Sequence, residues 1–123
     1  MMRLFMMLGS VNMFLAVALG AFGAHMLKTK ISADMLAVYQ TGVQYHMIHA
    51  VGLIAIGLAA DRLTQNQPLV NASGWAIVIG IILFSGSLYV LSLSGIKVLG
   101  AITPFGGVAF LAGWVMLAIA AMK

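Results

Sequence analysis

The segment Tyr39–Ala50 reads YQTGVQYHMIHA and runs directly into the apolar stretch Val51–Ala60. It is the one part of the chain where polar, aromatic and titratable side chains crowd together. At 100° per residue, Tyr39, His46 and His49 fall on one face of a helix, and the two glutamines point the other way. Polar groups on both sides predict contacts with neighbours on several faces, or a wet interfacial location.

Composition places the chain in lipid. Of its 123 residues, 63% are hydrophobic and 7% are charged, and the mean hydropathy is +1.14. A soluble domain carries about 25% charged residues, so this chain cannot cover itself with a surface that water wets. The length suits one domain, residues 1–123. The sequence therefore predicts an all-α integral membrane protein.

The charges indicate membrane flanks rather than a nucleic-acid partner. The net charge of +4 comes from basic residues at segment ends and in loops, namely Arg3, Lys28, Lys30, Arg62, Lys97 and Lys123. Such residues meet anionic lipid headgroups, whereas a nucleic-acid site needs its basic residues clustered on one face. The chain has no cysteine, which excludes disulfides, thiol chemistry and cysteine-ligated metal sites.

Four predicted spans, residues 4–24, 43–60, 72–93 and 104–122, are compatible with a hydrocarbon core about 30 Å thick. The second span continues a helix that begins at the interface, over residues 33–42, with Ser32 as its N-cap. The polar stretch 61–71 is predicted to be a loop. Val98–Ile102, which precedes Pro104, is either a short separate turn or a re-entrant piece.

The first span has an alternative interpretation as a signal peptide, because Arg3 precedes it and Ala21–Gly23 fits a cleavage rule. Its apolar run exceeds the usual length of about 7–15 residues, so we predict a retained transmembrane helix. Asn12 lies near mid-membrane, where an unpaired amide is costly. We expect its side chain to hydrogen-bond to another helix as a structural polar group.

Short connectors predict an antiparallel four-helix transmembrane bundle. We call the N-terminal side of the membrane side A and the opposite side B. The first helix ends at side B with residues 20–25, and the second starts there with 39–49. The third ends there with 85–92, and the fourth starts there with 103–107. Apart from Asn12, the polar clusters of the spans therefore converge on side B. Each side carries three basic residues, so the positive-inside rule gives a tie; our prediction places both termini in the cytoplasm.

Four motifs carry a resemblance to a known family: GAFGAH at 20–25, YQTGVQYHMIHA at 39–50, FSGSLY at 84–89 and TPFGG at 103–107. In this order they resemble the YgdD/YwdK-like small inner-membrane proteins, domain-of-unknown-function family 423, with a eukaryotic relative called transmembrane protein 256. The resemblance spans nearly the whole chain. It implies a bacterial plasma-membrane protein with about four spans, and it implies no activity.

The candidate ligand-binding residues are the polar side chains that converge on side B. They are His25, Tyr39, Gln44, Tyr45, His46, His49, Ser85, Ser87, Tyr89 and Thr103. One hypothesis is that they line a pocket for a lipid or quinone headgroup. The alternative is that they hydrogen-bond to one another and staple the helices together.

A metal or haem is a further possibility for the histidines. His46 and His49 are three residues apart and share a helix face, and His25 lies on the same side. Zinc usually takes four ligands, whereas side B offers only Asp34 besides the histidines. A haem between His25 and His46 is geometrically feasible. The sequence does not identify a cofactor.

These residues favour a non-enzymatic binding module for a lipid-like or other amphiphilic small molecule. The alternative is a structural or accessory subunit that forms a homo-oligomer or docks a membrane partner; a small transporter would need an oligomer to enclose a path. The chain has no glutamate, no cysteine and no paired carboxylates, so catalysis has little support. The expected partners are membrane lipids and either further copies of the chain in a homo-oligomer or another membrane protein, without nucleic acid.

Overall fold

A computed structural model describes residues 1–122 as four long helices. They are α1 (Met2–Leu27), α2 (Ala33–Arg62), α3 (Thr64–Ser94) and α4 (Lys97–Met122), and each is long and apolar enough to cross a membrane. The residues described contain no strand. The predicted all-α fold with four membrane-spanning helices is confirmed. Lys123, which the sequence analysis assigns to side A, lies outside the described residues.

The start of α2 behaves as the sequence predicts. Ser32 accepts a hydrogen bond from the Met35 amide at 3.1 Å and so caps α2. The stretch Val98–Ile102 lies in a short turn before the last α-helix: residues Lys97–Ala101 form a 3₁₀ segment that leads into the α-helical part of α4, Thr103–Met122. Gly95 closes the end of α3 in the left-handed region, with φ of 72°, a conformation that favours glycine.

The loop predicted at 61–71 is much shorter in the structure, so the prediction of its length was wrong. The α2 helix continues to Arg62, and a 3₁₀ turn already begins at Thr64 and passes into α-helix at Gln67. Pro68 is compatible with this because a proline in the first helical turn removes no intrahelical hydrogen bond. The Gln67 side chain donates to the Ala60 carbonyl near the end of α2. Polar composition here thus reflects hydrogen bonds at a tight helix junction.

Helices α1 and α2 pack antiparallel along most of their length. Tyr39 meets Leu19 near one end, and Gly57 meets Met2 at the other. Between these contacts the backbones come close, because a Cβ added to Gly9 would lie 2.7 Å from the Ala50 carbonyl oxygen. Small residues at such crossings permit the backbone approach that holds membrane helices together.

The remaining helices extend the bundle from α2 to α3 and from α3 to α4. Gly106 of α4 lies directly against the backbone of Phe84 in α3. Phe84 belongs to a π-helical turn, Ile81–Ser85, that interrupts α3. The apolar core lies between the helices and consists of Phe5, Leu53, Ile56, Ala60, Val70, Ile77, Ile81, Phe110 and Ala120. Helices α1 and α4 bury fewer residues than α2 and α3, so they form the outer members of the bundle.

Candidate functional site

The buried side chain of His46 connects three helices. Its Nδ1 atom lies 2.8 Å from the hydroxyl of Tyr89 in α3, and its Nε2 atom lies 2.9 Å from Oδ1 of Asn12 in α1. Asn12 in turn donates from Nδ2 to the Leu8 carbonyl at 2.8 Å. The expectation that Asn12 bonds to another helix agrees with this geometry, and its partner is His46.

For a neutral His46 ring, the donors and acceptors of this network fit only one arrangement. Because Nδ2 of Asn12 donates to Leu8, Oδ1 is the atom that faces His46 and can only accept. The proton of the imidazole is therefore on Nε2, and Nδ1 accepts from the Tyr89 hydroxyl. A neutral His46 satisfies each of these groups, which is the state that a low-dielectric bundle favours.

His49, three residues further along α2, pairs with a different helix. Its Nδ1 lies 2.7 Å from the Tyr45 carbonyl, and its Nε2 lies 3.0 Å from Nε1 of Trp114 in α4. An indole nitrogen only donates, so Nε2 of His49 is the acceptor and Nδ1 carries the proton. The ring also stacks on Phe110, with centroids 3.5 Å apart and planes 11° from parallel.

The hydroxyl groups of the predicted site bridge neighbouring helices in separate pairs. Tyr39 donates to the Leu19 carbonyl at 2.5 Å, and Ser85 donates to the Gly42 carbonyl at 2.8 Å. Ser87 and Thr103 lie 2.6 Å apart, joining α3 to α4. These contacts match the stapling alternative for the candidate residues.

Two of the predicted site residues take no part in these hydrogen-bonded contacts. His25 is exposed in the π-helical turn Gly23–Leu27 at the end of α1. Gln44 is exposed on the outer surface of α2. Within residues 1–122, no three His, Asp or Glu side chains come close enough to hold a metal ion. The three histidines therefore do not form the joint ligand set that the sequence analysis considered.

An open groove of about 470 Å³ lies against the side-B half of α4. Its aromatic lining comes from three helices: Tyr45 and His49 of α2, Phe84 of α3, and Phe110 and Trp114 of α4. The ring of Tyr45 lies 8° from parallel to that of His49 and 16° from parallel to that of Phe110. Three rings thus present nearly parallel planes, although they belong to two helices.

Sequence analysis missed Phe110 and Trp114 as members of this site. Both lie within a span of high hydropathy, where aromatic side chains are ordinary lipid-facing or core residues. The available signal was their spacing: Phe110 and Trp114 are four residues apart and so share a face of α4. That face also holds the small residue Gly107, which lines the groove.

Comparison with known proteins supports the family resemblance. The family described as "Protein of unknown function (DUF423)" matches residues 19–107. The chain is 53% identical to UPF0382 membrane protein YwdK of Bacillus subtilis, with 99% of this chain and 98% of the relative covered. It is 48% identical to UPF0382 membrane protein SSP2132 of Staphylococcus saprophyticus, with 99% of each covered. No solved structure matches the chain. With four helices able to span a membrane and relatives named as membrane proteins, this chain is a membrane protein that belongs to the DUF423 family, whose function is unknown.

Proposed function

We propose that this membrane protein is a non-enzymatic binding module that holds a lipid-like amphiphile in the aromatic groove beside α4. The observation that carries the proposal is the groove itself. Its volume of about 470 Å³ is within the range of about 300–1,000 Å³ that small-molecule sites occupy. Five aromatic side chains line it, a composition suited to an apolar body with few polar groups.

The polar contact offered to a ligand comes from Tyr45. This residue is 40% exposed, and its hydroxyl makes no hydrogen bond to the residues described here. His49 and Trp114 also line the groove, but their ring nitrogens are hydrogen-bonded to each other and are therefore less available to a ligand. A phenol can donate to an oxygen acceptor, so the ligand's head should carry a carbonyl or hydroxyl oxygen.

The near-parallel rings favour a flat head over a branched one. Phe110 stacks on His49, and the ring of Tyr45 stands nearly parallel to both. Offset stacking of a further planar ring on such a surface contributes about 0.5–1.5 kcal/mol beyond burial alone. A lipid-soluble molecule with a ring-bearing head, such as a quinone, therefore fits better than a lipid with a bulky headgroup.

The alternative function, a structural or accessory subunit, is supported by the interhelical hydrogen bonds of His46, Tyr39, Ser85 and Ser87. Those bonds lie inside one chain and explain why buried polar groups are retained without a ligand. They leave the groove unexplained. The two functions are compatible, because helices stapled at one set of residues can hold a preformed groove at another.

The test fills the groove without disturbing the fold. A Cβ at Gly107 would meet the nearest neighbouring atom, Cδ2 of Phe84, at 4.0 Å, so a larger side chain can grow into the groove. We expect gently extracted wild-type protein to carry a discrete lipid-sized adduct in native mass spectrometry, and Gly107→Leu to lose it. Gly100→Leu, outside the groove and with a similarly distant neighbour at 3.9 Å, is the matched control.

The second readout uses a defined probe, a benzoquinone with a ten-carbon tail, added to vesicles that contain the Trp75→Phe variant. Trp114 is then the single tryptophan, and its fluorescence should be quenched to saturation. Gly107→Leu in this background should weaken the quenching. Equal adducts and equal quenching in Gly107→Leu and wild type would rule out the groove as the site.

We further propose that the chain resides in the bacterial plasma membrane with both termini in the cytoplasm. Because the protein has no cysteine, single cysteines report topology directly. Thr29→Cys at side B should react with a membrane-impermeant thiol reagent in intact cells, whereas Gln65→Cys at side A should react only after lysis. The reverse pattern would place the termini outside.

A further inference from the structure

The outer surface of α2 carries an exposed stripe that includes two glutamines. We name it the Gln44 stripe, and its members are Gln40, Gln44, Met47, Val51, Ala55 and Leu58. All six are exposed, and their spacing places them within about 80° of arc on the helix. The stripe points away from the buried face that holds His46 and His49.

Gln44 lies inside the hydrocarbon of the bilayer. The carboxylates nearest to it on α2 are Asp34, ten residues before it, and Asp61, seventeen residues after it. At 1.5 Å per residue the 30-residue helix α2 is longer than a core about 30 Å thick, so a centrally placed α2 keeps both carboxylates outside the core and carries Gln44 about 9 Å inside the side-B boundary, deeper than the predicted span 43–60 places it. Gln40, one turn nearer side B, can still reach the interface with its amide.

The Gln44 carboxamide makes no hydrogen bond to the part of the chain that the structure describes. Two donor hydrogens and an acceptor oxygen are thus presented to lipid, which offers them no partner at this depth. Leaving such a group unpaired in hydrocarbon is costly. A neighbour outside this chain that brings polar groups to the same depth would remove that cost.

The surface beside Gln44 suits a side chain from another helix better than a separate ligand. A groove of about 140 Å³ between α1 and α2 is lined by Gln44, Met47 and the small residues Gly20 and Ala24. This volume is below the range of about 300–1,000 Å³ typical of small-molecule sites. Small residues on α1 leave room for a neighbouring helix to approach α2 closely.

We propose that two copies of this chain associate through the Gln44 stripe, with their Gln44 carboxamides hydrogen-bonded to each other. Copies inserted in the same orientation are related by a two-fold axis parallel to the membrane normal, so every residue finds its counterpart at the same depth. A carboxamide both donates and accepts, so it is complementary to itself. The Gln44 of a second copy therefore supplies both a hydrogen-bond donor and an acceptor, and no other pair of residues needs to be complementary.

Cysteine cross-linking in native membranes tests the interface while Gln44 is retained. Met47→Cys, on the Gln44 stripe, should form a disulfide-linked homodimer on oxidation with copper phenanthroline. Leu111→Cys, on the outer surface of α4 and 68% exposed, is the control and should not. Equal cross-linking at both positions, or products with a different protein in place of the homodimer, would overturn the proposal.

The role of Gln44 is tested by the dimerisation constant in vesicles, measured by energy transfer between labelled copies as the protein is diluted in lipid. Gln44→Leu should weaken dimerisation about 8- to 300-fold, the effect expected from losing the two reciprocal interhelical hydrogen bonds of the symmetric pair. Gln65→Leu, the same change outside the stripe, should have no effect. An unchanged constant in Gln44→Leu, or a wild type that stays monomeric at every protein density, would refute the pairing.

Discussion

The Nε2 atom of His46 lies 2.9 Å from the Oδ1 atom of Asn12, so a polar contact joins α2 to α1 near the middle of the bundle. Asn12 is buried only in part, yet both polar atoms of its amide are hydrogen-bonded because Nδ2 also donates to the Leu8 carbonyl. Removing either partner leaves the facing atom of the other, Nε2 of His46 or Oδ1 of Asn12, without a hydrogen bond in an apolar setting, so the two residues should be energetically coupled.

A double-mutant cycle measures this coupling. We expect Asn12→Ala and His46→Ala each to lower the free energy of unfolding, and the double variant to lose less than the sum of the two. The coupling should be about 0.6–1.7 kcal/mol, the range for hydrogen bonds between membrane helices. Thr41→Ala is the control partner for Asn12→Ala, because Thr41 bonds within its own helix and should show no coupling. Strictly additive effects at Asn12 and His46 would show that the contact does not form.

Adjacent glycines at 106 and 107 should respond oppositely to alanine. A Cβ at Gly106 would overlap the Phe84 backbone nitrogen and lie 2.7 Å from its Cα, whereas one at Gly107 has 4.0 Å of room. Gly106→Ala should lower the free energy of unfolding by about 1–3 kcal/mol through overpacking. Gly107→Ala should be neutral or raise it by up to about 1 kcal/mol, because alanine favours the helix. Unfolding of both variants in mixed micelles gives the comparison, and equal stabilities would contradict the close packing of α3 on α4.

Removing the hydroxyl of Tyr39 should affect the stability of the bundle, whereas removing that of Tyr45 should affect ligand binding. The hydroxyl of Tyr39 donates to the Leu19 carbonyl, and that of Tyr45 has no partner among residues 1–122. Tyr39→Phe should lower the free energy of unfolding by about 0.5–1.5 kcal/mol, the usual contribution of such a bond. Tyr45→Phe should leave stability unchanged and reduce quenching of Trp114 by the benzoquinone probe. A Tyr45→Phe variant that melts lower but binds the probe normally would assign Tyr45 to the bundle rather than to the ligand.

The hydrogen bond between Trp114 and His49 should be visible in fluorescence. In the Trp75→Phe background Trp114 is the single emitter, and His49→Leu removes the acceptor of its indole proton. We expect its emission to shift to shorter wavelength, because the excited indole loses a polar partner. His25→Leu makes the same substitution at an exposed site on α1 and should leave the spectrum unaltered. An emission maximum that His49→Leu does not move would contradict the bond.

The sequence analysis succeeded where periodicity and hydropathy carry the information. The wheel of α2 placed Tyr39, His46 and His49 on one face, and all three are buried. Burial follows because an apolar helix with one polar stripe can satisfy that stripe only against other helices. The cap at Ser32 was predictable for a similar reason, since the requirement is local.

At the junction of α2 and α3, the polar composition of residues 61–71 led to the wrong prediction of a long loop. Polar residues from 61 to 71 are typical of a loop, but Gln67 and Asn66 use their side chains on the Ala60 and Ala120 carbonyls. Their partners are distant in sequence or lie in the preceding helix. Composition alone cannot distinguish a solvated loop from a tight turn whose polar groups are used internally.

By itself, the sequence determined that this is an integral membrane protein with four helices able to cross the membrane, because both properties depend on hydropathy and length. It also determined that polar residues gather towards side B, since that follows from connectivity. Only the tertiary structure decided that His46 pairs with Asn12 and Tyr89, that His49 pairs with Trp114, and that Gln44 is left facing outwards. Those pairings depend on the rotation and register of each helix against its neighbours. Rotation and register are set by packing across the whole bundle, and no single helix encodes them.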